Sequence, residues 1–284
     1  MSPAAKLAGF AAMLGAVFAV AMLAGSQVDV GSDQTGAGAR DTAAEAGGHG
    51  EDRTPPQTVR GLAVSDDGLT LEPERTTAPR NARFDLAFRI ADRRGRTVRD
   101  FDLEHTKRMH VIVVRRDMTG FQHVHPVQRR DGSWTVPVTL REAGAYRLFA
   151  DFSVDGRPRT LAADLTVDGA VLSRPLPPPV DSVTVDGLRV SLAQGAARAG
   201  MESDLRFAVT RDGRPVAVRD FLGAKGHLVA LREGDLAYLH VHPDEDSLRF
   251  MATFPTAGRY RLYLQFKTYD GRLRTAALTQ EVTR

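Results

Sequence analysis

Gly226-His-Leu-Val-Ala-Leu-Arg-Glu-Gly-Asp-Leu-Ala-Tyr-Leu-His-Val-His-Pro243 reads as a β-hairpin. An apolar run from Leu228 to Leu231 meets Gly234-Asp235, a pair suited to a two-residue turn because its first position takes a positive φ. A second run, Leu236 to Val241, returns from it. Folding antiparallel about that turn sets His227 directly opposite His242 and Val229 opposite His240. Directly opposed residues project from one face, and residues two apart in a strand share a face. The spacing therefore predicts that His227, His240 and His242 converge on one side of the hairpin, beside Val229, Leu231 and Tyr238.

The same pattern occurs earlier in the chain. His110-Val-Ile-Val-Val-Arg matches His227-Leu-Val-Ala-Leu-Arg, and Phe121-Gln-His-Val-His-Pro matches Tyr238-Leu-His-Val-His-Pro. Ala143-Gly-Ala-Tyr-Arg-Leu148 matches Ala257-Gly-Arg-Tyr-Arg-Leu262. His110, His123 and His125 each have a counterpart 117 positions later, the signature of a duplication. In the first copy the turn centre is Asp117-Met118, a weaker turn that Gly120 can lengthen or bulge.

Around the hairpins the hydrophobic period is two. Phe84, Leu86, Phe88 and Ile90 alternate with Asp85, Ala87 and Arg89, as do Trp134, Val136, Val138 and Leu140 with their neighbours. Leu248, Phe250, Ala252 and Phe254 repeat the pattern. Asp-Gly pairs at 67, 131, 155, 186 and 270 punctuate the runs. Short alternating strands at this spacing predict an all-β chain of two tandem Ig-like or cupredoxin-like β-sandwich repeats, about seven strands each. Repeat 1 is expected over 61–168 and repeat 2 over 182–284. The segment 169–181 holds Pro175 and Pro177-Pro-Pro179, a semi-rigid polyproline spacer.

Upstream, residues 26–60 lack hydrophobic periodicity and read as a flexible tether. Before them Leu7 to Gly25 is uncharged and apolar, at the lower end of a membrane-spanning length. Cleavage sites ending at Ala24 or Gly25 have Met22 or Leu23 where a small residue is needed. An uncleaved anchor, residues 1–25, is thus preferred over a signal peptide. Lys6 on one flank and Asp29 and Asp33 on the other leave the N-terminus inside and the bulk of the chain extracytoplasmic, or secreted if the segment is cleaved.

Composition removes several function classes. The chain has 284 residues and no cysteine, so disulfides, thiolate metal sites and cysteine nucleophiles are excluded. Its 38 basic residues, of which only Lys6, Lys107, Lys225 and Lys267 are lysines, are interspersed among 35 acidic ones. No basic stripe marks a nucleic-acid surface.

Two readings of the histidines remain. As ligands, His110, His123 and His125 in one repeat, and His227, His240 and His242 in the other, suit copper(II) or zinc and leave a fourth position open. Asp151 is a candidate for that position in repeat 1, whereas its counterpart Gln265 is a poor zinc ligand. Met109 and Met118 add possible copper(I) donors in the first copy alone. As scaffold, the same histidines hydrogen-bond across the domain edge, and the chain is a non-enzymatic module that meets another envelope protein. A metal hydrolase is disfavoured, because no second carboxylate recurs in both repeats at a suggestive spacing.

The motifs at His110–Asp117, Phe121–Pro126 and Gly226–Pro243, with Tyr146–Phe152, resemble a family of uncharacterised, secreted or membrane-anchored actinobacterial proteins, sometimes labelled heavy-metal-binding. The resemblance covers nearly everything after the tether and implies two repeats with a metal ion as ligand. It is looser to periplasmic copper-resistance β-sandwiches, which hold copper through His and Asp at a sandwich edge.

Overall fold

Alternating and continuous apolar runs build two kinds of sheet. The computed structural model describes residues 59–104, 106–193, 197–243 and 246–284, without the side chains at 240, 242 and 243. The expected N-terminal helix, the tether up to residue 58, His49 and His105 lie outside the described residues. Among the described residues no helix is long and apolar enough to cross a membrane. Every regular element there is a β-strand, and the chain forms two tandem β-sandwich repeats.

In repeat 1, one sheet orders Ser65–Asp66, Leu69–Pro73, Arg83–Ala91, Trp134–Thr139 and Val127–Gln128. The other orders Thr77–Ala78, Arg157–Val167, Gly144–Val154, His110–Arg115 and Gln122–Val124. Repeat 2 copies both arrangements, with Leu188–Ala193, Glu202–Arg211 and Arg249–Thr253 in one sheet. Its second sheet holds Ala197–Arg198, Leu273–Thr283, Gly258–Thr268, Gly226–Arg232 and Tyr238–His240. Among the described strands pairing is antiparallel except where Thr77–Ala78 and Ala197–Arg198 each run parallel to the last strand of their repeat; an isolated bridge, Arg80 to Leu140, is also parallel. This is an Ig-like arrangement.

The alternating strands have one face in the core and one in water. Leu86, Phe88 and Ile90 are fully buried while Asp85 is exposed, and Trp134, Val136 and Val138 are buried beside exposed Pro137. Each such side chain stabilises the fold by about 1.5–3 kcal/mol. A tyrosine corner closes each sandwich. Tyr146 O–H donates to the Glu142 carbonyl at 2.8 Å, and Tyr260 O–H to the Thr256 carbonyl at 2.9 Å. Tyr146→Phe, which removes only the hydroxyl, is expected to cost about 0.5–1.5 kcal/mol in chemical denaturation. No measurable loss would show that the corner contributes nothing.

The continuous runs behave differently. His110–Arg115 is buried at every position, and Gly144–Val154 at nearly all. Val111, Val113 and Leu148 point into the core of repeat 1. Ile112, Val114, Phe149 and Ala162, on the opposite face, pack with Val229, Leu231, Leu236, Tyr238 and Tyr263 of repeat 2. The two histidine-bearing sheets are therefore docked face to face. Phe121 stacks on Tyr263 at 4.0 Å, and Phe149 meets Tyr238 at 5.6 Å. Duplication exchanges these pairs, Phe121 with Tyr238 and Phe149 with Tyr263, so the docking is self-complementary, as in an isologous contact. Gly61 completes it with φ +72°, and a Cβ there would lie 2.7 Å from Tyr238 Cβ.

The proline-rich spacer is tied down. Leu176 packs on the shared cluster, and the Arg174 N–H donates to Asp117 at 3.0 Å. Buried Arg115 pairs with Asp117 and Glu142 and donates to the Leu172 carbonyl at 3.1 Å. Burial alone would raise the Asp117 carboxyl pKa, but the donors Arg115, Thr119 and Arg174 hold it well below the usual carboxylate range.

Candidate functional site

Strand register decides what can meet. In repeat 1, Val111 pairs with Val124, Ile112 with His123 and Val113 with Gln122, the register read from the sequence. In repeat 2, Val229 pairs with His240 and Leu231 with Tyr238, again as expected. The turn differs: Gly234-Asp235 sits inside a four-residue loop, with Arg232 N–H donating to Ala237 O at 3.0 Å and Leu236 at φ +62°. Asp235 bonds Arg232 and caps the Ala237 N–H, which favours the longer loop. His242 also differs from expectation. Instead of facing His227, it pairs with Met251 in the other sheet. The chain crosses between sheets within the His-Val-His-Pro motif, between His240 and His242.

The first copy brings its histidines together. His110 Nδ1 lies 3.2 Å from His123 Nε2 and 3.2 Å from His125 Nε2. Ligand atoms of all three fall within 4.8 Å of one another. Nitrogens bound to one ion at about 2.0–2.1 Å would be roughly 3.4 Å apart at tetrahedral angles, close to this spacing. His110 Nε2 is directed at the Glu104 carbonyl at 3.5 Å, so its other nitrogen faces the cluster. The equivalent His227 Nε2 donates to the Phe221 carbonyl at 2.8 Å, and its ring centre stands 6.1 Å from that of His123.

Asp151 is the strand neighbour of His110, as Gln265 is of His227. Asp151 is buried and accepts from Thr160 Oγ1 at 2.7 Å and from Tyr238 O–H at 3.3 Å, and it stands outside the group of three nitrogens. Two expected copper(I) donors are corrected. Met109 faces the sandwich core, opposite in parity to His110, and Met118 lies at the turn end of the hairpin in the inter-repeat cluster. The side chains of His240 and His242 are outside the described residues.

Residues 63–169 and 183–284 each match the family described as "Domain of unknown function (DUF8832)". The chain belongs to the DUF8832 family. Comparison with curated proteins finds no match. Among solved structures the chain is similar to the Escherichia coli adhesin FdeC, at 14% identity and TM-score 0.28, over 78% of this chain and 66% of that one. It is also similar to Salmonella alpha-2-macroglobulin, at 13% identity and TM-score 0.28, over 80% of this chain and 15% of that one. Fibronectin(III)-like modules of Clostridium thermocellum CbhA match at 11% identity and TM-score 0.22, over 75% and 94%. The chain thus spans less than two thirds of the first two structures. Likenesses this distant carry no functional inference.

Two imidazoles of the trio, His123 and His125, are held neutral. Burial, then the neighbouring His110, His125 and His227, push His123 well below the usual histidine pKa. Burial, followed by His110 and Lys107, lowers His125 to about 3. Neutral imidazole is the ligating form. Because the unfolded chain binds a proton near pH 6.5 and the folded chain does not until about pH 3, this stability is complete above pH 6.5 and is lost as pH falls toward 3. The metal-free chain is expected to melt progressively lower between pH 7 and pH 4.5, with a shallower slope in His125→Ala. A slope unchanged in the variant would contradict this assignment.

What the sequence did not reveal is the contribution of repeat 2 to this site. Gln265 lies beside His123, yet only the uninterrupted burial of Val111–Val114 and Leu228–Leu231, both apolar runs without alternation, signalled that these strands are covered on both faces.

Proposed function

We propose that this protein is a membrane-tethered, extracytoplasmic binding protein for copper(II) or zinc, the ion held by His110, His123 and His125. One observation carries the reading. His110 Nδ1 has a single in-plane lone pair but two imidazole nitrogens at 3.2 Å, so it cannot form two good hydrogen bonds. A cation between the rings satisfies all three lone pairs at once. The donors are neutral nitrogens without sulfur, which suits copper(II) and zinc, with copper(II) the tighter by the general order of divalent ions. Extracytoplasmic placement rests on the Leu7–Gly25 run and its flanking charges.

The role is binding for storage, delivery or resistance. Catalysis is not favoured, because no described carboxylate joins the three nitrogens to serve as base. The competing reading is a module that meets an envelope protein, with the histidines as scaffold. The burial of His110 and His227 next to the inter-repeat cluster favours it. Calorimetric titration of the metal-free full chain with copper(II) and with zinc separates the two. Saturable sub-micromolar binding, lost when His110, His123 and His125 are all alanine, is expected. A folded chain that binds neither ion below micromolar would leave the scaffold reading standing.

A further inference from the structure

The repeats are docked through the very sheets that carry the histidines, so the cluster borders residues of the second repeat. His123 Nδ1 is buried without a hydrogen-bond partner, and so is Gln265 Oε1 of repeat 2. The two side chains are neighbours: Gln265 is the strand partner of His227, whose ring centre is 6.1 Å from that of His123. Gln265 Nε2 donates to Thr275 Oγ1 at 3.3 Å, which turns its oxygen into the remaining acceptor. When His123 offers Nε2 to an ion, its proton sits on Nδ1 and requires an acceptor of this kind.

His227 adds a fourth imidazole beside His123, outside the group of three nitrogens as they stand here. Its Nε2–H is fixed on the Phe221 carbonyl, the counterpart of the contact His110 makes with Glu104, so Nδ1 is its ligating atom, as it is for His110. Around one ion at about 2.0–2.1 Å, ring centres stand roughly 5 Å apart at tetrahedral angles and roughly 6.4 Å apart when trans in a square plane. The trio shows 4.9 to 5.4 Å, and the His123–His227 separation of 6.1 Å falls between the two limits.

Resting on the metal-binding reading above, we propose that the site is composite: repeat 2 supplies His227 as the fourth ligand and Gln265 as the acceptor that orients His123. One ion is then shared by both repeats and ties their docking together, in place of one independent ion in each. Asp151, engaged by Thr160 and Tyr238, is left out of this ligand set.

The test uses the full chain loaded with copper(II), with affinity from calorimetry and bound nitrogens counted from the hyperfine structure of its electron paramagnetic resonance spectrum. His227→Gln, which keeps a donor for the Phe221 carbonyl, is expected to lower affinity about 10- to 100-fold and remove one nitrogen. His227→Ala is expected to act alike, with its metal-free melting temperature reporting whether it folds. Gln265→Leu is expected to lower affinity about 10- to 100-fold with the nitrogen count unchanged, and Gln265→Glu, which retains an acceptor, to restore it. Two ions per chain, with both His227 variants abolishing one and leaving the other's affinity and nitrogen count intact, would overturn the composite site while sparing the functional reading. Binding that survives alanine at His110, His123 and His125 would overturn the functional reading itself.

Discussion

Replacing His123 by alanine is expected to lower copper(II) or zinc affinity by about 100-fold or more, a larger loss than removal of an outer partner produces. His123 is a partly buried member of the trio, flanked by His110, His125, His227 and Gln265. The loss corresponds to roughly 2.7 kcal/mol of binding free energy. It also appears as stability, because an ion at 100 times its dissociation constant stabilises the folded chain by about 2.7 kcal/mol. Wild-type protein should therefore melt higher with metal than without, and His123→Ala should show almost no such difference. Equal metal-induced shifts in the two proteins would mean that the ion binds elsewhere.

Phe149→Ala is expected to destabilise the chain by about 3–5 kcal/mol in equilibrium denaturation. Phe149 lies on the outer face of the Gly144–Val154 strand, pointing away from the core of its own sandwich. In a repeat standing alone that ring would meet solvent, and its loss would change little. Here it is fully buried against Tyr238 and packed with Ile112, Val229 and Leu231. The expected cost thus reports docking of the repeats and not sandwich stability. A change below about 0.5 kcal/mol, the range of an ordinary surface substitution, would show that the repeats are not docked in solution.

Much of the scaffold was legible because β-structure writes itself in period two. The duplication, the alternating strands and the pairing of Ile112 with His123 and of Val229 with His240 all follow from spacing. Three features did not. The loop at Gly234-Asp235 is set by a side chain, the Asp235 carboxylate on Arg232 and the Ala237 N–H, which periodicity does not encode. His242 leaves its expected partner because the chain passes at Val241 into the opposite sheet, where His242 pairs with Met251. The meeting of Gln265 with His123 is a tertiary event between residues of different repeats, with no local signal at either position. The nearest warning was compositional: unbroken apolar runs where a sheet with one wet face would alternate.

X-ray absorption on the full chain loaded with one equivalent of copper(II) or zinc tests the central claim most directly, since it reads the ligand atoms themselves. Three or four nitrogens at about 2.0–2.1 Å, with the multiple-scattering pattern of imidazole, are the predicted first shell. A shell of oxygen atoms alone, or one unchanged when His110, His123 and His125 are alanine, would contradict it.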